Sequence, residues 1–258
     1  MLTRRVINPV AILIFLGLIA LDFFVAIPIW GYSIVVLLWF LTTLFGSFFI
    51  RWNYHLTSLH SNKKISENWV AITFDDGPNH AFTPKVLDLL KHFEAQATFF
   101  CIGENIVKNP NILKEIIANG HSIGNHTYSH SKTFGFFGLE KVKAELLKTK
   151  SVAKDLTGRE MNLFRPAFGV TNPMVEKAVK QLRLTSVGWN IRSLDTTPRS
   201  KEMVFKRITS KLSKGDIILL HDTSEKTVAV LERLLVFLKE KNLESVTVER
   251  LLEIEAYG

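Results

Sequence analysis

The sequence predicts an α/β fold, a distorted (β/α) barrel that follows an N-terminal transmembrane helical hairpin. Two patterns predict it. Apolar runs of strand length alternate with stretches of helical periodicity from residue 69 to residue 239, which favours a parallel sheet joined by right-handed crossovers. Residues 9–50 form an almost uninterrupted apolar segment in which Asp22 is the only charged residue. The chain therefore divides into a membrane anchor, residues 1–52, and a globular domain, residues 53–258.

The apolar N-terminal segment is long enough for two membrane crossings, since one helical crossing takes about 20 residues. Pro28 and the residues up to Ser33 predict the turn between the two helices. A cleaved signal peptide is one alternative, because Arg4 and Arg5 precede the segment, but cleavage would leave the second apolar stretch behind. A buried pair of core helices is the other. The hairpin is preferred because residues 53–258 suffice for a complete domain.

The elements of the globular domain follow from the spacing of its apolar residues. Strands are predicted at residues 70–74, 96–102, 161–164, 184–187 and 217–220. Helices are predicted at residues 84–93, 105–118, 139–156, 173–182, 202–212 and 225–239. In a parallel α/β barrel the loops after the strands carry the functional side chains, so polar residues that follow these runs are expected to lie on one face.

Two acidic residues follow the first strand, and two histidines lie further along the chain. Asp75 and Asp76 stand where the strand ends and a Gly-Pro pair forces a turn. His126 and His130 are four apart, so they can face one point if their segment is helical or tightly turned. One Asp and two His leave zinc, or a similar divalent ion, an open fourth position for water. Taken separately, the acids also fit a turn or a helix cap, and each histidine fits an ordinary buried or solvated imidazole.

A site of this kind suits the hydrolysis of an amide or an ester. A bound divalent cation lowers the pKa of water from about 15.7 to about 7. Asp75 is the candidate base for the remaining proton, because only one of two adjacent acids needs to touch the metal. His221 follows the run 217–220 and is placed to protonate the departing amine. Arg165 and Asp195 are expected to form an ion pair that fixes Asp75.

Four segments of the chain resemble the motifs of a known family, the polysaccharide deacetylases with a NodB-homology domain, also called carbohydrate esterase family four. They are Thr-Phe-Asp-Asp-Gly-Pro at 73–78, His-Thr-Tyr-Ser-His at 126–130, Arg-Pro-Ala-Phe-Gly at 165–169 and Leu-Leu-His at 219–221. The likeness covers residues 68–253 and implies a barrel of the NodB type. By this resemblance Asp75 is the catalytic base, and Asp76, His126 and His130 hold the metal. The expected ion is zinc, with cobalt and manganese as alternatives.

The same resemblance implies which residues face the substrate. Phe168 stands where the family has Tyr, and its backbone N–H, which the change preserves, is the expected oxyanion donor. Pro166, Trp189 and Leu219 are assigned with it to the substrate pocket.

The fourth motif departs from the family pattern W-x-x-D-x-x-D-W. Here Trp189 is followed by Arg192 in place of the first Asp, Asp195 is kept, and Thr196 replaces the final Trp. That Trp resembles part of the acyl pocket of relatives, so its loss leaves the size and nature of the acyl group open.

The sequence therefore predicts a membrane-anchored, metal-dependent hydrolase that removes N-acetyl or other N-acyl groups from the amino sugars of a glycan. One alternative is a deacylase or deformylase of a lipid-linked sugar precursor. Another is a non-catalytic carbohydrate-binding membrane protein, which the altered fourth motif keeps open. The formal net charge of +8 fits an anionic membrane surface or a phosphorylated carrier, whereas no basic stripe with interleaved aromatic residues points to nucleic acid.

The expected location is a membrane, and the bacterial inner membrane in particular. Two crossings return the chain to its starting side, and basic residues flank both ends: Arg4, Arg5, Arg51, Lys63 and Lys64. The positive-inside rule then predicts a cytoplasmic catalytic domain. Most relatives act on polymers outside the cell, so either the first segment is re-entrant or the substrate is reached from the cytoplasmic side. The natural sugar and the oligomeric state are left open by the sequence.

Overall fold

The computed structural model describes residues 3–258, in which a parallel sheet is surrounded by helices. The strands are β1 (Trp69–Asp75), β2 (Ala97–Cys101), β3 (Ser122–Asn125), β4 (Leu163–Phe164), β5 (Thr185–Ser186), β6 (Ile191–Arg192), β7 (Ile217–His221) and β8 (Glu244–Ser245). The helices are α1 (Arg4–Asp22), α2 (Ile29–Phe48), α3 (Thr83–His92), α4 (Gly103–Lys108), α5 (Pro110–Ala118), α6 (Leu139–Thr157), α7 (Pro173–Gln181), α8 (Lys201–Thr209), α9 (Glu225–Glu240) and α10 (Val248–Leu252).

The sheet has the strand order β5-β4-β3-β2-β1-β7-β6, with β8 paired to the start of β1. All of these pairings are parallel, so the carboxyl ends of the strands meet at one edge. At that edge Asp75 of β1 lies opposite His221 of β7 on one side and Phe100 of β2 on the other. The predicted (β/α) barrel of the NodB type is confirmed in the form of an open, curved sheet.

Side chains of the central strands alternate between two apolar layers, as strand geometry requires. Ile72 and Phe74 pack outward against the helices, in a core that also contains Ile218 and Leu220 of β7. Ala71 packs on the opposite, concave side, in a second cluster that includes Leu219 and Trp189. Because both faces are covered, these strands are nearly continuous apolar runs, which is why the sequence predicts them well.

Differences from the sequence prediction have local causes. The predicted helix at 105–118 is two helices, α4 and α5, because Pro110 has no N–H to donate and pushes Asn109 out of the helical region, to φ −132° and ψ 55°. Strands β3, β6 and β8 were not predicted, since they are short and partly polar. The division of the chain at residue 52 stays a prediction.

The N-terminal helices α1 and α2 form an antiparallel pair that is long and apolar enough to cross a membrane, by length and composition. The turn between them spans residues 23–28 instead of the predicted 28–33, because α2 already begins after Pro28. Asp22 ends α1, and its carboxylate accepts a hydrogen bond from the backbone N–H of Ile27. The charge therefore lies at the turn and not in the middle of either apolar helix.

The base of this hairpin contacts the globular domain through specific bonds. The N–H of Thr171, in the loop after β4, donates to the carbonyl of Ser47 in α2 at 2.9 Å. The N–H of Arg4 donates to the carbonyl of Tyr54 at 3.0 Å, and the Arg4 guanidinium pairs with Glu176 of α7. The hairpin is thus tied to the loop that follows β4.

Candidate active site

The end of β1 presents two carboxylates in different directions. Asp75 is the last residue of the strand and is 4% exposed, whereas Asp76 has a φ of 74° and turns the chain away. Positive φ is costly for a residue other than Gly and persists where the surroundings impose it. Here Asn105 helps to impose it, because its amide donates to the Asp76 carbonyl at 2.7 Å.

His126 and His130 lie on the loop after β3, which is a tight turn and not a helix. The carboxylate of Glu145 in α6 accepts hydrogen bonds from the N–H groups of Tyr128 and Ser129 at 3.0 and 2.8 Å, so the turn is fastened to that helix. Nδ1 of His126 donates to the carbonyl of Arg165 at 2.9 Å, because a carbonyl can only accept. This fixes the tautomer that leaves Nε2 as an acceptor directed at Asp76.

The three expected ligands come together in space. Their donor atoms all lie within 4.8 Å of one another. Nε2 of His126 is 3.5 Å and Nε2 of His130 is 3.4 Å from Oδ1 of Asp76, and that oxygen is buried without a hydrogen-bond donor among residues 3–258. A buried carboxylate oxygen facing two imidazole nitrogens suits a divalent cation, and this donor set fits zinc.

The electrostatics of this cluster favour positive charge. Burial alone would raise the pKa of Asp76, but the neighbouring imidazole of His126, with the charges of His130 and His221, lowers it to about 2. Burial alone would lower the pKa of His126, but Asp75 and Asp76 raise it. For His130 the effect of burial is larger than that of the nearby carboxylates, and it lowers the pKa to about 4. The cluster therefore attracts a cation, and the neutral His130 is ready to act as a ligand at neutral pH.

Arg165 fixes Asp75 directly. Its fully buried guanidinium donates to Oδ1 of Asp75 at 2.7 Å and to the hydroxyl of Thr73 at 2.8 Å. Two further bonds reach the carbonyls of Val187 and Gly188, at 3.1 and 2.9 Å. The predicted ion pair between Arg165 and Asp195 is wrong, because Arg165 enters from β4 across the concave face, whereas Asp195 lies beyond β7 at the other end of the sheet.

Asp195 instead holds His221. It is fully buried in the loop after β6, and its two oxygens accept from the N–H of His221 at 2.8 Å and from Nδ1 of His221 at 2.9 Å. The hydroxyls of Ser193 and Thr227 donate to it as well, each at 2.8 Å. Burial alone would lower the pKa of His221, but the hydrogen bond and charge of Asp195 raise it to about 9.

The residues expected at the substrate pocket divide into exposed and buried groups. Phe168 is half exposed, has a φ of 58°, and lies against His130 with 4.4 Å between ring centroids. Pro166 precedes it in the same loop. Trp189 and Leu219 are 8% and 3% exposed and pack in the concave core, so they support the loop from below. A Cβ at Gly169 would lie 2.8 Å from the Trp189 ring, which shows how closely the indole supports the loop.

Several polar residues of the site had no role in the sequence prediction. Thr73 connects Arg165 to the sheet, Thr227 helps to hold Asp195, and Glu145 fastens the histidine turn. Asp222, next to His221, is fully buried beneath Gly77, accepts a hydrogen bond from Thr83, and has its pKa raised by burial to about 7. Only Thr73 had a signal in the sequence, since it opens the motif at 73–78.

Comparison with known proteins agrees with the family that the motifs resemble. A family model described as polysaccharide deacetylase matches residues 62–187. A peptidoglycan-N-acetylglucosamine deacetylase of Bacillus cereus is 37% identical over 197 residues, which cover 74% of this chain and 90% of that protein. The deacetylase PgdA of Listeria monocytogenes is 33% identical over 191 residues, which cover 74% of this chain and 39% of that longer protein.

Solved structures give the same result. The peptidoglycan deacetylase PdaC of Bacillus subtilis superimposes with a TM-score of 0.69 at 27% identity, over 73% of this chain and 91% of that one. A crystal structure of a peptidoglycan N-acetylglucosamine deacetylase superimposes with a TM-score of 0.72 at 32% identity, over 77% and 94%. The chain belongs to the polysaccharide deacetylase family, the NodB-homology group of carbohydrate esterase family four. It is a hydrolase of the deacetylase type, as its motifs predict.

Proposed function

We propose that this protein is a divalent-metal-dependent deacetylase that removes N-acetyl groups from the amino sugars of peptidoglycan. One observation carries the proposal: the oxygen of Asp76 and the Nε2 atoms of His126 and His130 converge, with Asp75 3.8 Å from Nε2 of His126 and His221 opposite Asp75 on the neighbouring strand. The relatives that support the substrate class are named as deacetylases of peptidoglycan N-acetylglucosamine or of peptidoglycan N-acetylmuramic acid.

Asp76, His126 and His130 would hold the metal, and Asp75 would act as the base. A divalent cation bound there supplies a water whose pKa falls from about 15.7 to about 7, and places positive charge beside the substrate carbonyl. Asp75 would be the residue that accepts the proton of the attacking water. Arg165 prepares Asp75 for this step, because its guanidinium holds one carboxylate oxygen and leaves Oδ2 directed toward the metal ligands, 3.8 Å from Nε2 of His126.

His221 would act as the acid that completes the reaction. When the carbon–nitrogen bond breaks, the departing sugar amine needs a proton, and acetate is the other product. Asp195 binds Nδ1 of His221, so Nε2 is the atom free to donate. The pKa of about 9 keeps this histidine protonated at neutral pH. The backbone N–H of Phe168 is the proposed donor to the oxyanion, and Phe in place of Tyr does not remove it.

The N-terminal hairpin is proposed to anchor the enzyme in a bacterial inner membrane. Its helices have 19 and 20 residues, so each is about 30 Å long and matches the hydrocarbon core of a bilayer. The basic residues at both ends predict a cytoplasmic catalytic domain. This position conflicts with a mature peptidoglycan substrate outside the membrane.

The hairpin therefore favours a second candidate function, deacylation of a lipid-linked amino-sugar precursor at the membrane surface. The bond between Thr171 and Ser47 supports it, because it ties the loop after Phe168 to the end of α2 and so holds the active-site mouth near the membrane.

One assay separates the two candidates. The full chain, purified in a neutral detergent and supplied with zinc, is given either peptidoglycan fragments and oligomers of N-acetylglucosamine or a polyprenyl-linked amino sugar, and the released acid is measured. Acetate released from the soluble glycans at the higher kcat/KM supports the peptidoglycan deacetylase. Release confined to the lipid-linked sugar supports the second candidate, and no release from any of them contradicts both.

A further inference from the structure

A basic cavity lies beside the base of the hairpin, outside the catalytic cluster. It has a volume of about 470 Å³ and lies between edge strand β6 and helix α8. Its lining includes five basic side chains: Arg51, Arg192, Lys206, Arg207 and Lys211. No acidic residue belongs to this lining.

The positive charge of this basic cavity is not neutralised by the protein. Within residues 3–258, none of the five cations has a carboxylate within 4 Å, and all five are exposed. Asp216, which accepts a hydrogen bond from the lining residue Asn190, is 1% exposed and already paired with Lys63. Concentrated positive charge in an open cavity raises the local concentration of anions.

The position of the cavity next to the end of α2 indicates the source of the anion that it would bind. Arg51 follows the end of α2 by three residues, and its guanidinium donates to the carbonyl of Asn190 at 3.3 Å. Because α2 is as long as the hydrocarbon core of a bilayer, a residue just beyond its end lies at the level of the lipid headgroups. The cavity would therefore open where phosphate groups are abundant.

The cavity also borders the active site. The Arg192 guanidinium lies 5.9 Å from the centre of the Trp189 ring, and the Arg165 guanidinium lies 5.5 Å from a ring centre of the same residue. A single indole thus separates the cavity from the residue that holds Asp75. Arg192 stands where the family pattern has Asp, so this chain carries the opposite charge at the position that borders the cavity.

We propose that this basic cavity binds the phosphate of an anionic lipid. Guanidinium groups bind phosphate oxygens through paired, charge-assisted hydrogen bonds, and the lysines of α8 add charge without demanding one geometry. The phosphate has two sources with the same chemistry, a phospholipid headgroup or the diphosphate of a lipid-linked sugar. The proposal rests on the proposed membrane anchor but not on deacetylation, so the binding test and the acetate assay can fail separately.

The test is a binding experiment on the full chain in a neutral detergent. The cavity triple, Lys206→Gln with Arg207→Gln and Lys211→Gln, is compared with a control triple, Lys91→Gln with Lys108→Gln and Lys114→Gln. The control residues are exposed, lie on other helices and make no ion pair among the described residues, so both triples remove the same charge. The probes are short-chain phosphatidylglycerol, phosphatidylcholine of the same chain length, and inorganic pyrophosphate, each titrated by calorimetry.

We expect phosphatidylglycerol to bind the wild type saturably and phosphatidylcholine to bind much more weakly. The cavity triple should weaken phosphatidylglycerol binding about tenfold or more, and the control triple should leave it within about twofold. Pyrophosphate that competes with phosphatidylglycerol and binds more tightly assigns the site to a diphosphate carrier, whereas weak pyrophosphate binding assigns it to a headgroup.

Equal weakening by both triples, or no binding of either phosphate probe to the wild type, would overturn the proposal. Arg207 also donates to the carbonyl of Arg192 at 2.8 Å, so the triple could disturb β6. Arg192→Gln removes one cavity charge without that bond. It should weaken phosphatidylglycerol binding severalfold at an unchanged melting temperature, and unchanged binding would contradict the assignment.

Discussion

The two sides of the active site are stabilised in different ways. On the acid side, Asp195 accepts hydrogen bonds from Ser193, Thr227 and two nitrogens of His221, so its carboxylate is fully partnered. On the metal side, Asp76 has a buried oxygen without a donor among residues 3–258, and the nearest imidazole nitrogens lie 3.4 and 3.5 Å away.

This difference distinguishes polar groups that find partners within the folded protein from polar groups that need a bound ligand. The acid side satisfies its polar groups by folding, so it should contribute to stability without any ligand. The metal side holds buried polar atoms at distances too long for good hydrogen bonds, so it should gain stability only when a cation binds.

The largest effect is expected from the proposed metal ligands. Zinc added to the chelated wild type should raise its melting temperature by about 5–10 °C when zinc exceeds its Kd about a hundredfold. His126→Ala should abolish both this rise and acetate release, because one of three ligands is lost. Differential scanning fluorimetry with an acetate assay measures both. His92→Ala, at an exposed histidine, is the control, and a zinc-induced rise that survives in His126→Ala would refute the ligand assignment.

Asp75→Asn should separate catalysis from metal binding. Loss of the base should lower kcat by about 10²–10⁴-fold. The three ligands stay in place, so the variant should still bind one zinc, measured by equilibrium dialysis. Asp88→Asn, at an exposed aspartate of α3, controls for the loss of one negative charge. If Asp75→Asn lost its zinc together with its activity, Asp75 would be a ligand and not the base.

Asp195→Asn should destabilise the acid side in a pH-dependent way. An amide nitrogen would face the N–H groups of His221, and breaking a buried ion pair costs about 3 kcal/mol. The folded pKa of His221, about 9, lies above its ordinary 6.5, so this part of the stability is complete below pH 6.5 and is lost as the pH rises through about 9. The pKa of Asp195 is lowered by its hydrogen bonds to His221 despite burial, so its part is present above its ordinary 3.8.

The melting temperature of chelated wild type should therefore exceed that of chelated Asp195→Asn most at about pH 6, and the gap should narrow above about pH 9. The variant should also lose acetate release at a lower pH than the wild type, because the pKa of its His221 falls. A gap that stays constant from pH 6 to pH 10 would show that Asp195 does not stabilise a charged His221. Asp155→Asn, on the exposed face of α6, is the control.

The smallest effect is expected from Thr227→Val, which removes one of the hydrogen bonds to Asp195. The variant should lose about 1 kcal/mol of unfolding free energy and keep its zinc-induced rise in melting temperature. Thr57→Val, at an exposed threonine, should change neither quantity. A changed response to zinc in Thr227→Val would mean that the two sides of the site are coupled.

Much of the fold could be predicted because both faces of the central strands are buried. The apolar runs at 70–74 and 217–220 became β1 and β7 almost at their predicted bounds. Strand β6 was missed because it has two residues and one of them, Arg192, is exposed. The sequence therefore could not show that Asp195 directly follows a strand.

The metal side of the site could be predicted because its residues are grouped in short motifs. The partner of Arg165 could not be predicted. The carboxylate that its guanidinium contacts depends on how β4 and β1 are arranged across the concave side of the sheet. The backbone conformation of several site residues could not be predicted from the sequence either. Asp76, Thr127, His130 and Phe168 all have positive φ, which tertiary contacts impose and which no local preference of these residues predicts.

Deacetylation is proposed to depend on one cation held by Asp76, His126 and His130. The most direct test of this dependence is a zinc titration of the chelated full chain, with acetate release from a peptidoglycan glycan measured at each addition. We expect a rate that rises from the chelated background and saturates at one zinc per chain. Full acetate release by the chelated protein, or a rate that does not respond to zinc, cobalt or manganese, would contradict it.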